Sequence, residues 1–284
     1  MPLVKICGLT RVEDVVLAAR LGAWAVGFVF APSPRRLEPA AARALIAEAR
    51  ELLAHEPLPG VVPARSFPLT VGVFVDEPAE EIAAVVQATG LDCVQLHGSQ
   101  RDPADAGGST RGAAVRAALQ PLVGGGNRPA LAARSLLIQA VPVSVGETEA
   151  GALREAIRQA RQHADLVLLD SNVSGRFGGT GESFAWSLAR EAADGGPLLV
   201  AGGIGPDNAE AALQESGAWG VDVSSSIETA PGVKDPAGMT RLFANLGVAA
   251  GPVGWPGARA GASAGSGADL LPAPPARAGG DRSI

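Results

Sequence analysis

Eight short apolar, β-branched runs recur along this chain, and helical segments separate most of them. The runs are LVKI (3–6), AWAVGFVF (23–30), LTVGVFV (69–75), LDCVQL (91–96), LLIQAV (136–141), ADLVLL (164–169), LLVA (198–201) and AWGVDV (218–223). Between them lie amphipathic stretches such as VEDVVLAARL (12–21), PAAARALIAEARELL (39–53), PAEEIAAVVQAT (78–89) and EAGALREAIRQARQ (149–162). Strict alternation of strand and helix demands parallel strands joined by right-handed crossovers. Eight units also close such a sheet on itself, typically in about 250 residues. The expectation is therefore an α/β chain folded as a (β/α)8 TIM barrel, with a doubly wound open sheet as the structural alternative. Thr10 with Glu13 has capping-box spacing before one helix, and Asp207 with Glu210 repeats that spacing before another.

The barrel is expected to occupy residues 1–248. The segments 54–68 and 101–135 are rich in proline or glycine and read as enlarged loops, the second containing one helix at AAVRAALQ (113–120). From 249 to 284 Gly, Ala, Pro and Ser dominate, leaving too few large apolar residues to offset the entropy of ordering them, so a disordered tail is predicted. The remainder is apolar enough for one large core, since 47% of the 284 residues are hydrophobic. A net charge of −6 argues against nucleic acid or an anionic membrane as partner. Two cysteines supply no disulfide framework and suit a reducing compartment. No signal peptide is visible, and no apolar run reaches the ~18 residues a membrane helix requires. These features predict a soluble cytoplasmic protein. The outer helices carry no excess apolar face that would reveal an oligomeric state.

In such a barrel, substrate sites form at the carboxyl ends of the strands. Unusual residues gather there: Cys7 after the first strand, Arg35 after the second, His97 after the fourth and Asp170 after the sixth. Gly202–Gly203 follow the seventh and Ser224–Ser226 the eighth. Side chains two apart share a strand face and lie about 7 Å apart, so Lys5 should sit beneath Cys7. A neighbouring ammonium favours the thiolate over a thiol that otherwise titrates near ~8.5, which would make Cys7 a usable base. Pairing of Lys5 with Asp222 is an equally open reading. A metal site at Cys7, Cys93 and His97 is excluded by length: four residues of extended strand span about 13 Å, whereas zinc ligands lie within ~2.3 Å of the ion.

AGGIGPDNAEAAL (201–213) reads as a glycine turn leading into a capped helix, where backbone N–H groups can approach an anion. A glycine turn alone is commonplace. Together with the serine run of GVDVSSSIE (220–228), in a region where barrels of this class often hold phosphate, it points to a phosphate site. Asp170 precedes a glycine-rich loop, GRFGGTGES. It reads either as a turn cap or as a carboxylic acid at the barrel mouth under a mobile lid.

Several stretches together carry a resemblance: VKICGLT, GFVFAPSPRRL, VGVFV, VQLHG, LLDS with GGTGESFAW, AGGIGPDN and GVDVSSSIETAPGVKD. In this order they resemble the phosphoribosylanthranilate isomerase family of tryptophan biosynthesis. The resemblance implies an Amadori rearrangement of a phosphosugar, N-(5-phosphoribosyl)anthranilate, by general acid–base catalysis without cofactor or metal. It implies that Asp170 is the general acid and Cys7 the general base. Arg35, in the Ser-x-Arg pattern of SPRRL, would bind the anthranilate carboxylate, with Arg36 one residue away as the alternative. Gln95, His97 and Asp222 would meet the rest of the substrate, although His97 read by itself suggests a structural role. Gly202, Gly203, Ser225 and Ser226 would cradle the phosphate.

Three positions depart from the family pattern: Ser226 replaces a usual glycine, Ala185 a usual aspartate and Gln139 a usual lysine. Two rival readings remain. One is a lyase or synthase on a similar barrel, which would need a catalytic lysine in place of Cys7. The other is an inactive barrel kept as a binding module.

Overall fold

The computed structural model describes residues 1–56, 58, 67–98, 110–120, 135–144, 148–172 and 185–248. Most of both enlarged loops, the glycine-rich segment after Asp170 and the whole segment 249–284 lie outside the described residues. Eight parallel strands form a closed barrel in chain order: β1 (Leu3–Ile6), β2 (Ala25–Val29), β3 (Leu69–Phe74), β4 (Cys93–Leu96), β5 (Leu136–Ser144), β6 (Leu166–Asn172), β7 (Leu198–Ala201) and β8 (Gly220–Val223). Helices α1 (Val12–Leu21), α2 (Pro39–Leu52), α3 (Ala79–Thr89), α4 (Arg111–Leu119), α5 (Ala150–Ala160), α6 (Trp186–Ala192), α7 (Ala209–Ser216) and α8 (Pro236–Asn245) follow the strands in turn. After β8 a short 3-10 turn (Ser225–Ile227) leads into an antiparallel hairpin of β9 (Glu228–Ala230) and β10 (Val233–Lys234).

Two apolar clusters build the molecule. The larger one lies between the sheet and the helices and includes Ile6, Phe28, Phe74, Leu137, Val141, Leu169 and Met239. The smaller one fills the barrel interior with Leu3, Leu69, Val71, Cys93, Leu136, Ile138, Leu166, Leu168 and Leu199, together with Trp24. The period of two separates them: along β5, Leu136, Ile138 and Ala140 face inward while Leu137 and Val141 face the helices. Each large apolar side chain so buried contributes about 1.5–3 kcal/mol of transfer free energy.

The same period generates the site. Ascending one inward face, Leu3 is followed by Lys5 and Cys7, Cys93 by Gln95 and His97, and Leu166 and Leu168 by Asp170. Each ladder is apolar at its base and polar at the mouth. Closure of β1 on β8 brings Lys5 opposite Asp222 and Leu3 opposite Gly220. Gly220 is required there, because a Cβ would lie 2.1 Å from the Leu3 carbonyl oxygen.

Both expected helix caps are corrected. The N-cap of α1 is Arg11 without a side-chain cap bond, and Thr10 Oγ1 instead donates to the Gly232 carbonyl at 2.6 Å. The hairpin crosses this helix start and takes the hydroxyl. At α7 the N-cap is Asn208 rather than Asp207. Its Oδ1 accepts from Gly205 N at 2.7 Å and its Nδ2 donates to the Gly203 carbonyl at 2.9 Å, so it stitches the glycine turn. Strand β6 also runs further than the sequence predicted, with Asp170 paired in register to Pro142 inside the strand.

Candidate active site

A cavity of about 330 Å³ opens at the carboxyl ends of the strands. The ten residues that the resemblance assigns to catalysis and substrate binding all line it: Cys7, Arg35, Gln95, His97, Asp170, Gly202, Gly203, Asp222, Ser225 and Ser226. Arg36 does not; its guanidinium reaches Glu38 at 3.1 Å and is half exposed. Gln139 lies on the outward parity of β5 and donates to the Leu96 and Ala140 carbonyls, away from the mouth. Ala185 is the N-cap of α6, where it offers no side-chain cap.

At the floor, Lys5 is fully buried and its Nζ donates to Asp222 Oδ2 at 2.8 Å. Of the two sequence readings of Lys5, the pairing with Asp222 is realised, and the ammonium also reaches the Cys7 thiol. Gly27 on β2 leaves room for this meeting: a Cβ there would lie 3.0 Å from Cys7 Sγ and 3.2 Å from Lys5 Nζ. Burial lowers the Lys5 pKa, but Asp222 and Cys7 outweigh it and push the ammonium up to about 12.

The expected activation of Cys7 is corrected in its net effect. Desolvation raises the thiol above its ordinary value, and the Lys5 charge lowers it by less. Cys7 is 9% exposed, so its sulfur is desolvated at the cavity edge. Asp170 rises to about 7, first through desolvation and then through the Asp222 charge, against the opposing pull of Lys5. His97 Nε2 stands 3.6 Å from Asp170 Oδ2. Burial lowers the His97 pKa, so a neutral imidazole faces that carboxyl at neutral pH.

Two buried acceptors, Gln95 Oε1 and Asp222 Oδ1, have no hydrogen-bond partner among the described residues. Both belong to cavity-lining side chains and can accept from hydroxyls of a bound molecule. On the β7–β8 side, Gly202 and Gly203 have φ values of 83° and 66°, backbone that glycine adopts freely. Ser226 Oγ donates to the Ile204 carbonyl and thereby ties the turn after β7 to the turn after β8. Ser224 Oγ donates to the Cys7 carbonyl at 3.1 Å.

Several buried charged side chains escaped the sequence reading. Glu228 and Lys234 come from the hairpin; Glu228 meets Arg35 at the cavity wall, and Lys234 meets Glu228. Arg111 is fully buried, and its guanidinium donates to the Val75, Glu77 and His97 carbonyls, which fastens the exits of β3 and β4. The hairpin pair lay within the quoted stretch GVDVSSSIETAPGVKD, but alternation of strand and helix carries no sign that this segment folds back.

A closed barrel with a cavity at the carboxyl ends of its strands, where ionisable side chains converge, places the chain in the (β/α)8-barrel class, whose enzymes carry their sites at this face. Residues 4–120 and 126–245 match the sequence model of the family described as N-(5'phosphoribosyl)anthranilate (PRA) isomerase. The chain belongs to this N-(5'-phosphoribosyl)anthranilate isomerase family. It is 40% identical over 235 residues to the isomerase of that name from Rubrobacter xylanophilus, covering 82% of this chain and 93% of the relative. Among solved structures, the phosphoribosyl anthranilate isomerase from Thermus thermophilus matches with TM-score 0.62 and 31% identity over 86% of this chain and 98% of that one. A further family structure, in complex with reduced 1-(o-carboxyphenylamino)-1-deoxyribulose 5-phosphate, matches with TM-score 0.59 and 29% identity over 87% of this chain and 99% of that one.

Proposed function

We propose that the cavity converts N-(5-phosphoribosyl)anthranilate to 1-(2-carboxyphenylamino)-1-deoxyribulose 5-phosphate, with Asp170 as general acid and Cys7 as general base. Asp170 protonates the furanose ring oxygen, and the ring opens to a protonated Schiff base. That cation acidifies the proton on sugar carbon 2. The Cys7 thiolate removes it, and the resulting enolamine tautomerises to the ketone. One observation carries the assignment: Cys7 and Asp170 line the same cavity, from strands three steps apart around the barrel. Desolvation, which holds Asp170 partly protonated near pH 7, suits a group that must donate a proton there.

Arg35 binds the anthranilate carboxylate, since a guanidinium fork matches a planar carboxylate and Arg36 is turned away. Gln95 and Asp222 accept from the sugar hydroxyls. The Gly202–Gly203 turn and the Ser225–Ser226 turn hold the phosphate mainly through their backbones, because the Ser226 hydroxyl already donates to Ile204. The rival requiring a catalytic lysine finds little support, since Lys5 is fully buried and engaged by Asp222. No helix among the described residues is long and apolar enough to cross a membrane.

The test is turnover of N-(5-phosphoribosyl)anthranilate by the purified chain, beside Cys7→Ala and Asp170→Asn. Both variants should lose at least about a hundredfold in kcat while still binding the reduced product analogue. Binding without turnover in the unaltered chain would leave only a binding module.

A further inference from the structure

The β9–β10 hairpin brings a carboxylate to an arginine that already has a substrate role in the reading above. Arg35 Nε donates to Glu228 Oε1 at 2.9 Å and to Oε2 at 3.1 Å, and its NH2 donates to Oε2 at 2.6 Å. One edge of the guanidinium is thus fully engaged, whereas its NH1 has no hydrogen-bond partner among the described residues. Glu228 is held in turn. Lys234 Nζ donates to Oε1 at 2.7 Å, and the Gly232 backbone N–H reaches the same oxygen at 3.3 Å. Lys234 is itself anchored: its Nζ donates to the Ser224 carbonyl at 3.1 Å, and its backbone N–H donates to Asp14 Oδ2 of α1 at 3.1 Å.

The site is built around this arrangement. The Glu228 side chain is 4% exposed, and that of Lys234 is fully buried. Burial raises the Glu228 carboxyl, but the hydrogen bonds from Arg35 and Lys234 outweigh it and hold it below its ordinary value. Gly8, at φ 73°, lets the arginine stem pass beside the Cys7 loop, for a Cβ there would lie 2.5 Å from Arg35 Cδ. Two cations around one carboxylate leave one positive charge net, at a cavity wall, on a guanidinium that cannot rotate away.

We propose that Glu228, braced by Lys234, is a specificity-determining positioning residue that orients Arg35 so that its unengaged edge receives the aryl carboxylate of the substrate. Glu228 touches no substrate. It fixes the fork in advance, so that no orientational freedom is lost when the carboxylate arrives. Without the carboxylate, Arg35 and Lys234 repel each other and the fork is no longer held.

The inference rests on the carboxylate role of Arg35, and two amines distinguish its failure from failure of that reading. Anthranilate and aniline are each condensed with ribose 5-phosphate, giving substrates that differ only in the carboxylate. The unaltered chain should prefer the anthranilate adduct. In Glu228→Gln the kcat/KM preference should fall at least about tenfold through a higher KM, with the aniline adduct unchanged within about twofold. Glu228→Asp, one methylene shorter, should be intermediate and provides the same comparison if Glu228→Gln does not fold. Equal losses on both adducts, or a fall in kcat alone, would overturn the inference and leave the isomerase reading standing. No turnover of either adduct by the unaltered chain would remove both.

Discussion

Asp170 and Cys7 each sit in the protonation state that resists their proposed roles only in part. Asp170, with a pKa of about 7, is half protonated at neutral pH, whereas desolvation keeps Cys7 mainly as the thiol. The active form needs the acid protonated and the thiol ionised. Below about pH 7 the acid is protonated and the thiolate fraction grows with pH; above it, that growth is cancelled by loss of the Asp170 proton. The kcat/KM profile should therefore rise to about pH 7, stay level, and fall beyond the raised thiol pKa. In Asp170→Asn the residual activity should keep climbing through pH 7. A limb near pH 7 that survives this substitution would dissociate it from Asp170. Cys7, His97 and Asp170 were legible from their places at strand ends, whereas the acid and base roles came only from the family resemblance; the structure adds that period two sets each above inward-facing residues. Glu228 and Lys234 were not legible, since a charge looks the same in a solvated loop and in a buried hairpin.

At the scale of elements, β1 closes the barrel against β8, and its approach depends on one missing side chain. Gly220→Ala would drive a Cβ to 2.1 Å from the Leu3 carbonyl oxygen, which is backbone and cannot swing aside. The expected cost exceeds about 4 kcal/mol, as an earlier urea midpoint or a failure to fold. A midpoint within error of the parent would mean that β1 and β8 do not pack as described. The strands and helices themselves were readable from periodicity, with β1 and β7 matching to the residue. The caps were not. Thr10 satisfies a carbonyl 222 positions away, and no local spacing rule contains that contact.

For the whole molecule, the candidate site opposes stability. Asp170 titrates at 3.8 when unperturbed and near 7 in the fold, so between those values the folded state binds more protons than the unfolded chain. Stability attributable to this group is thus retained below pH 4, falls as pH rises through the window, and is level above it. Asp170→Asn should match the parent near pH 4 and be more stable by about 2–4 kcal/mol at pH 8, measured by urea unfolding at both values. Equal stability at both pH values would show that the carboxyl is not desolvated.

The sequence alone determined the architecture and the residues gathered at the mouth, because eightfold alternation specifies parallel closure and the two-residue period assigns each side chain a face. Only the tertiary structure decided which charges meet: Lys5 with both Asp222 and Cys7, and Glu228 with both Arg35 and Lys234. The Lys5–Asp222 and Arg35–Glu228 pairings join residues 217 and 193 positions apart. Their geometry, and the sign of each pKa shift, depends on burial and distance that emerge once the barrel has closed.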